Sequence, residues 1–558
     1  LFGVDVNEFI RRSDKMLSDR SPQDATWQEI RTFLAPIMQS IVSREPKGTR
    51  GRHEQLDNSG ETASEVFASG LHGFLSNPGT KWFAVRAKDR SFNQDFEVAR
   101  WTEQVTDHIS QVFESAESKF AIAIGEAYSS LGDFGTATVS AMDRRGKLPI
   151  FRKHAVGEIA TEENHEGDLV DTFRRWKMSA RMAQREFGPA AGQRVSQSAA
   201  GSRADDEFEF LHAVVPRAGG LKGGRHPLRM PFASVTINVT EKHLIRESGF
   251  QENPFINGRW RKRDGEDAGR GPGEKALGDV KMLQRVMKAT IRGAEKSINP
   301  SLLVADDGVI GQINQGQNGI TYVRSDLFAG RQSPVQAMNH GARPDFGEEF
   351  MASIRSRIEA AYFVPLFRMS RDPRMSATQS LIIDEETLRV LGPFLGRVNV
   401  ELLGPLIDRA IGIELRAGRL PPAPAILEGR ETEIEFVSPL AKAQRLSEVA
   451  AGSRLYEANQ GLIALDPAIL DNWDTDEKFR NDADRLGVPK TQIRPVETVA
   501  KMRAARQEAQ RRQAEIEQGA TIASAAQSAG QAAGALQNAG LLPGANDNGG
   551  GAGGQAAA

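Results

Sequence analysis

Cysteine is absent from the 558 residues, which removes disulfides and thiolate metal sites from consideration. Excess charge of either sign is absent too. The 71 basic and 73 acidic residues leave a formal net charge of −2, so the chain is not a uniformly basic nucleic-acid binder. Contact with a polyanion must come from local clusters. No apolar run reaches the ~18–20 residues that span a bilayer, and no membrane partner is expected. The opening Leu1-Phe2-Gly3-Val4-Asp5-Val6 carries no signal-peptide layout, so a soluble, non-secreted protein is the expectation. No Walker A pattern occurs, so the phosphate cradle of a motor ATPase is missing. The nine histidines are scattered, with no pair at metal-ligand spacing. No acid/base constellation accompanies them. No catalytic residue, metal or cofactor is therefore expected, and the chain reads as not an enzyme.

What is present is an ordinary globular composition, 39% hydrophobic and 26% charged, in a chain too long for one core. Its organising stretch is 274–378. A first amphipathic helix follows the breaker Gly269-Arg270-Gly271-Pro272-Gly273 and places Leu277, Val280, Leu283, Met287, Ile291, Ala294 and Ile298 on one face. Lys275, Lys281, Arg285, Lys288, Arg292 and Lys296 make the other face basic, and Asn299-Pro300 stops the helix. A second helix from about Asp345 stacks Phe346, Phe350, Ile354 and Ile358. A basic loop follows, with Arg368, Arg371 and Arg374. A charge stripe is ordinarily only a solvated face, and neither cluster has the interleaved aromatics that single-strand binders stack on. If both touch nucleic acid, they touch phosphates without regard to sequence.

Along the rest of the chain, residues 5–44 read as helices, with Ser21-Pro22 as a start signal and Trp27, Ile30, Phe33, Leu34 and Ile37 as an apolar stripe. A second helix buries Ala63, Val66, Phe67, Gly70, Leu71, Phe74 and Leu75 and ends at Asn77-Pro78-Gly79. Trp82-Phe83-Ala84-Val85 is a predicted strand, and 98–131 is helical up to Leu131-Gly132-Asp133-Phe134-Gly135. From 136 to 272 short alternating runs predict a mixed α+β region with a hairpin around Asn164–Gly167 and one helix ended by Gly188-Pro189. The segment 299–344 has a turn at Asp306-Asp307-Gly308 after Leu302-Leu303-Val304. From Thr378 to about Ala417 a helical stripe contains Gly392-Pro393 and Gly404-Pro405, where kinks or breaks are expected. A strand at 434–437 and further helices follow, and the Ala/Gly/Gln-rich end, from about Gly544, reads as disordered. Gly269–Gly273 superficially suggests a phosphate loop, but Pro272 removes a donor. Asp306-Asp307, and likewise Asp471, Asp474 and Asp476, read as turns and caps before cation ligands.

The ordered set of motifs resembles the head-to-tail connecting (portal) proteins of short-tailed, T7-like bacteriophages. It comprises Trp27-Gln28-Glu29-Ile30, Ala68-Ser69-Gly70-Leu71-His72, Leu131 to Ala137, Phe173 to Ser179, and Gly269-Arg270-Gly271-Pro272 through Asn299-Pro300. Leu391-Gly392-Pro393, Val437 to Ala441 and Asp471 to Asp476 complete it. The resemblance implies a predominantly helical α+β fold assembling as a ring, usually of twelve subunits, at one capsid vertex. It implies a wing over 1–273, stem helices at 274–298 and 345–366, and a clip at 299–344. A tunnel loop would follow at 367–378, a kinked wing helix and return at 379–435, and crown or barrel helices at 436–518. The low-complexity tail, 519–558, is unmatched. Arg368, Arg371 and Arg374 would line the DNA channel, with Lys281, Arg285, Lys288, Arg292 and Lys296 as further DNA-facing positions. Implied partners are double-stranded DNA, the terminase large subunit, a tail adaptor, and the major capsid and scaffolding proteins. The protein would reside in the virion, after assembly in the host cytoplasm. The alternatives are a head–tail adaptor or tail-tube ring, or an enzyme of DNA packaging.

Overall fold

The computed structural model describes residues 5–38, 40–41, 55–89, 91–92, 95–220, 226–298, 302–304, 335–337, 344–369, 389–427, 432–437, 439–466, 468, 472–486, 488 and 492–538. The chain divides into two compact units, Leu1–Trp473 and Asp474–Ala558.

The first unit opens with helix α1 (Val6–Phe33), capped by Asp5, whose carboxylate accepts the Asn7 N–H at 2.9 Å. The helix does not begin at Ser21-Pro22 but runs through Pro22. An interior proline costs about 3 kcal/mol, and anchorage on both sides outweighs it. Upstream, Ile10 lies in a core with Phe173, Leu211, Val235 and Ile237. Downstream, Trp27, Ile30 and Leu34 enter the main core. Between them the Arg20 guanidinium donates to the carbonyls of Val156, Gly157 and Ile159 and pairs with Asp24 at 2.8 Å. Ile37 drops out of the expected stripe and is 79% exposed, because the helix has already ended at Phe33.

Helix α2 (Ser59–Leu75) buries Ala63, Phe67, Gly70, Leu71 and Leu75, with Val66 and Phe74 half-buried, as its periodicity predicts. The helical stretch after it is two helices, α3 (Phe96–Glu114) and α4 (Phe120–Phe134), separated by a turn that ends on Lys119 in the left-handed region. Gly135, at φ 76°, terminates α4 in the αL conformation that favours glycine.

Strand β1 (Phe83–Ala87) pairs antiparallel with Thr432–Phe436. The predicted α+β region forms two antiparallel sheets. One has β2 (Thr136–Arg144) between β3 (Lys147–His154) and β9 (Phe255–Arg259). The other runs in sequence order through β4 (Ile159–Glu163), β5 (Leu169–Ser179), β6 (Glu207–Pro216), β7 (Phe232–Asn238) and β8 (His243–Phe250). Asn164 shapes the β4–β5 turn by accepting the N–H groups of Glu166 and Asp168, both at 2.9 Å, and Gly167 supplies a φ of 94°. One face of the five-stranded sheet meets the first half of α1. The other carries α5 (Ala180–Phe187) and α6 (Gln193–Ala200), through Ala183, Val195, Phe208 and Phe210.

Two long helices follow, α7 (Pro272–Ile298) and α8 (Pro344–Ala361), then the short α9 (Val364–Met369). Leu302–Val304 pairs with Val335–Ala337, while Asp306-Asp307 and the rest of 305–334 lie outside the described residues. The helix Arg389–Arg416 is continuous through Pro393 and Pro405, where kinks or breaks were expected. Instead of breaking it widens: Asn399–Leu403 is a π segment, with the Gly404 N–H bonding the Asn399 carbonyl five residues back. One extra residue ahead of Pro405 accommodates the ring that an α-helix would clash with. By length and composition this helix is apolar enough to cross a membrane, although Arg397, Glu401, Asp408 and Arg409 interrupt its apolar run. Leu391, Leu395, Val398, Leu402, Leu406 and Ile407 nevertheless belong to the main core.

Arg259, at the end of β9, is 1% exposed and fastens this helix to the sheets. Its guanidinium bonds Glu401 and Glu163, each at 2.8 Å, and the Gly167 carbonyl at 2.9 Å. Arg397 pairs with the same Glu401 at 3.0 Å.

In the second unit Asp474 caps the helix Thr475–Leu486, accepting from Asp476 and Glu477 at 3.0 and 2.9 Å. Asp476 is paired with Arg503 of the 43-residue helix Val496–Asn538. Asp471 lies outside the described residues, as does the tail beyond 538.

Candidate functional site

The hairpin α7–α8 and its root hold most of the positions that the sequence singled out. Its two helices are antiparallel and joined directly, since Arg357 pairs with Asp279 at 2.9 Å and Gly347 lies against Thr290. The chain leading into α2 is stitched to both. The Gln284 carbonyl oxygen accepts the N–H groups of Leu56 and Asp57 at 2.6 and 3.1 Å, and its amide donates to the Asp57 carbonyl at 2.7 Å. Arg355 of α8 grips the Asp57 carboxylate at 2.7 Å. Burial alone would raise that carboxyl, but hydrogen bonds from Ser59 and Arg355 outweigh it and hold Asp57 below the usual range.

The apolar face of α7 is buried only near the root. Ala276, Leu277, Val280 and Leu283 enter the core, whereas Ile291 and Ile298 are exposed, as is Phe350 of α8. The predicted basic face divides as well. Lys281 is turned back onto α1, where it pairs with Glu29 at 2.6 Å and lies over the Phe33 ring. Arg285, Lys288, Arg292 and Lys296 are exposed, at steps of three and four that line them up over about 16 Å of helix. Arg368 is helical, in α9, rather than in a loop, and pairs with Glu359 at 3.0 Å. Arg371 and Arg374 lie outside the described residues. Among the described residues no group of three or more histidines and carboxylates is placed to hold a metal ion.

At the root, glycines replace side chains. A Cβ on Gly271 would lie 2.6–2.7 Å from backbone atoms of Leu131, Gly132 and Gly135, and one on Gly273 would lie 2.5 Å from the Asp133 carbonyl. The amino end of α7 therefore rests directly on the carboxyl end of α4. That answers the phosphate-loop alternative, since protein backbone occupies the space in front of these glycines. Arg270 is held between Glu266 and Glu274, bonds that keep its guanidinium above its ordinary value. Beneath it, Tyr362 donates to Asp133 Oδ1 at 3.0 Å, both residues being buried. This pair was not singled out as a site by the sequence. The only signal for it was Asp133 inside the Leu131–Gly135 helix-ending motif.

Comparison with known proteins adds to this geometry. Residues 6–493 match the family model described as bacteriophage head to tail connecting protein. The probable portal protein of Bordetella phage BPP-1 is 28% identical over 534 residues, covering 92% of this chain and 94% of its own. The portal protein of Salmonella phage epsilon15 is 27% identical over 520 residues, covering 90% of this chain and 91% of its own. Among solved structures, a chain of the virion of a native gene transfer agent particle aligns over 78% of this chain and 90% of its own. It does so at 11% identity, with a TM-score of 0.37.

Proposed function

This chain belongs to the bacteriophage head to tail connecting protein family, and from that membership we propose that it forms the portal ring of a phage head. The observation that carries the proposal is a family match that spans residues 6–493. In this reading twelve copies, the number usual for the family, surround a channel at one capsid vertex through which double-stranded DNA enters and leaves. Assembly takes place in the host cytoplasm with capsid and scaffolding proteins. The α7–α8 hairpin is the stem, and 299–344 is the clip that meets the terminase and later the tail adaptor. The segment beyond α9 is the tunnel loop, carrying Arg371 and Arg374, and the helices after 436 form the crown. The exposed Ile291, Ile298 and Phe350 support a stem that packs against neighbouring copies. The exposed stripe Arg285, Lys288, Arg292 and Lys296 suits weak, sequence-independent phosphate binding, which a moving polymer requires.

Electron microscopy of the purified protein, with its mass in solution, tests the ring. Annular particles with a central opening are expected; a chain that stays monomeric when capsid and scaffolding proteins are supplied would overturn it. Alanine at Arg285, Lys288, Arg292 and Lys296 should leave rings intact and flatten the salt dependence of DNA binding, by about 0.9 in logarithmic slope for each phosphate no longer neutralised. An unchanged slope would remove the stripe from the channel.

A further inference from the structure

Three features of the hairpin root lie outside that reading. Tyr362, the residue after α8, is fully buried and donates to Asp133 of α4. The next residue, Phe363, has a φ of 56°, a left-handed conformation that costs a bulky side chain about 1–2 kcal/mol. Gly273, in the first turn of α7, comes so close that a Cβ there would lie 2.9 Å from the Tyr362 hydroxyl. One hydrogen bond thus joins the end of α4 to the end of α8, beside the start of α7, at the point where the chain bends into α9. A strained residue persists only where its surroundings over-determine it. Here the Phe363 ring is held by Trp260 and Phe394, with centroids at 6.3 and 6.2 Å, and its neighbour is held by the carboxyl.

We propose that the buried Asp133–Tyr362 pair is a latch on the Phe363 bend, closed while the carboxyl is neutral and opened to water when it gains charge, because the cost of burying a carboxylate then exceeds the gain from its stronger bond to Tyr362. Opening frees α9 to change direction relative to α8.

The groups facing Asp133 are Ser64 and Glu61 from α2, Tyr362 after α8, and Lys153 from β3. Lys153 in turn faces Glu126 and Glu158. Burial drives the Asp133 carboxyl up, Ser64, Tyr362 and Lys153 draw it back, and Glu61 adds to the rise, leaving it at about 7. Tyr362 is raised well above its ordinary value, first by burial and then by Asp133, so it keeps its proton and remains the donor. A closed latch therefore binds a proton near neutrality that an open, hydrated carboxyl has already lost. Opening is favoured about tenfold per pH unit from roughly pH 5 to 7 and levels off above about pH 8.

Hydrogen exchange on the full-length protein as purified, read on peptides spanning 355–369 and corrected for intrinsic amide chemistry, tests the latch. Protection in the wild type should fall about tenfold per pH unit over that window. Asp133→Asn keeps an acceptor for Tyr362 and imitates the neutral acid, so it should stay protected throughout. Tyr362→Phe should be unprotected even at about pH 5. A wild-type profile flat with pH overturns the latch whatever the variants do. So does a pH dependence that Asp133→Asn leaves in place, or full protection of Tyr362→Phe at low pH. The latch is a property of the single chain, so its failure would leave the channel proposal standing.

Discussion

His154 and His212 approach the Phe255 ring edge-on, with centroids at 5.4 and 5.3 Å, where the two large sheets meet. Each shares a hydrogen bond with a serine hydroxyl, His154 with Ser140 at 2.8 Å and His212 with Ser234 at 2.9 Å. Burial pushes both imidazoles down, aided by Arg174 and Arg152 at His154 and by Arg174 and Arg246 at His212, to about 2 and about 3. An unfolded histidine takes up its proton near pH 6.5, and the folded ones refuse it. Their contribution to stability is therefore complete above that value and shrinks as pH falls, by about 1.4 kcal/mol per unit for each ring. Asp133 works in the opposite sense over much of the same window and offsets about half of what the two rings lose, so the wild-type curve alone understates the effect. The difference between wild type and His212→Gln isolates it: urea midpoints compared at about pH 6.5 and 5 should converge as pH falls. At this scale the sequence was least legible. Spacing put Lys281 on a polar face and Arg368 in a basic loop, but it had no means of seeing Glu29 or Glu359 lying over them.

Elements were better specified, because periodicity and terminators act locally. The α2 face, the Asn164–Gly167 hairpin, the stop at Gly188-Pro189 and the start of α7 beside Pro272 all follow from side-chain spacing and backbone restriction. The failure came at Pro22 within α1, where packing on both flanks outweighs a local penalty that short-range signals overstate, while at Pro405 the backbone widens into a π segment without breaking. Glycine separates the two scales cleanly at the start of α7. Gly271→Ala forces a Cβ into the backbone of α4 and should destabilise by about 1–3 kcal/mol. Gly278→Ala, inside α7 and with nothing within 4 Å of the added atom, should stabilise by about 0.5–1 kcal/mol. Thermal unfolding of the two variants beside wild type measures both, and similar shifts would contradict the end-to-end seating of α7 on α4.

For the whole molecule the sequence conveyed membership through the order of its motifs, and the family match confirms that likeness over residues 6–493. It did not convey which distant segments pair. Nothing local in Phe83–Ala87 indicates Thr432–Phe436 as its partner. The helix Val496–Asn538 raises a question of its own, since from residue 500 to 535 every described side chain is exposed. Helices in proteins owe most of their stability to tertiary packing, and along that span no described side chain is buried, although Arg503 pairs with Asp476. Association of copies should supply it. Trypsin ought to cut after Lys501, Arg503, Arg506, Arg511 and Arg512 at least about tenfold more slowly in assembled particles than in dissociated chains. Equal rates would remove this helix from the assembly interface.

The pairing of β1 with Thr432–Phe436 also sets a timetable for biosynthesis. Arg86 and Glu435, which form an ion pair across that seam, are 349 residues apart in the chain. At translation rates of about 5–20 residues per second, β1 waits roughly 17 to 70 s on the ribosome before its partner emerges. Through that interval an open strand edge beside Trp82 and Phe83 is available to any other chain nearby. Nascent chains crowded on one message would meet at this edge first, so the yield of native subunits should be limited by how quickly synthesis reaches residue 436.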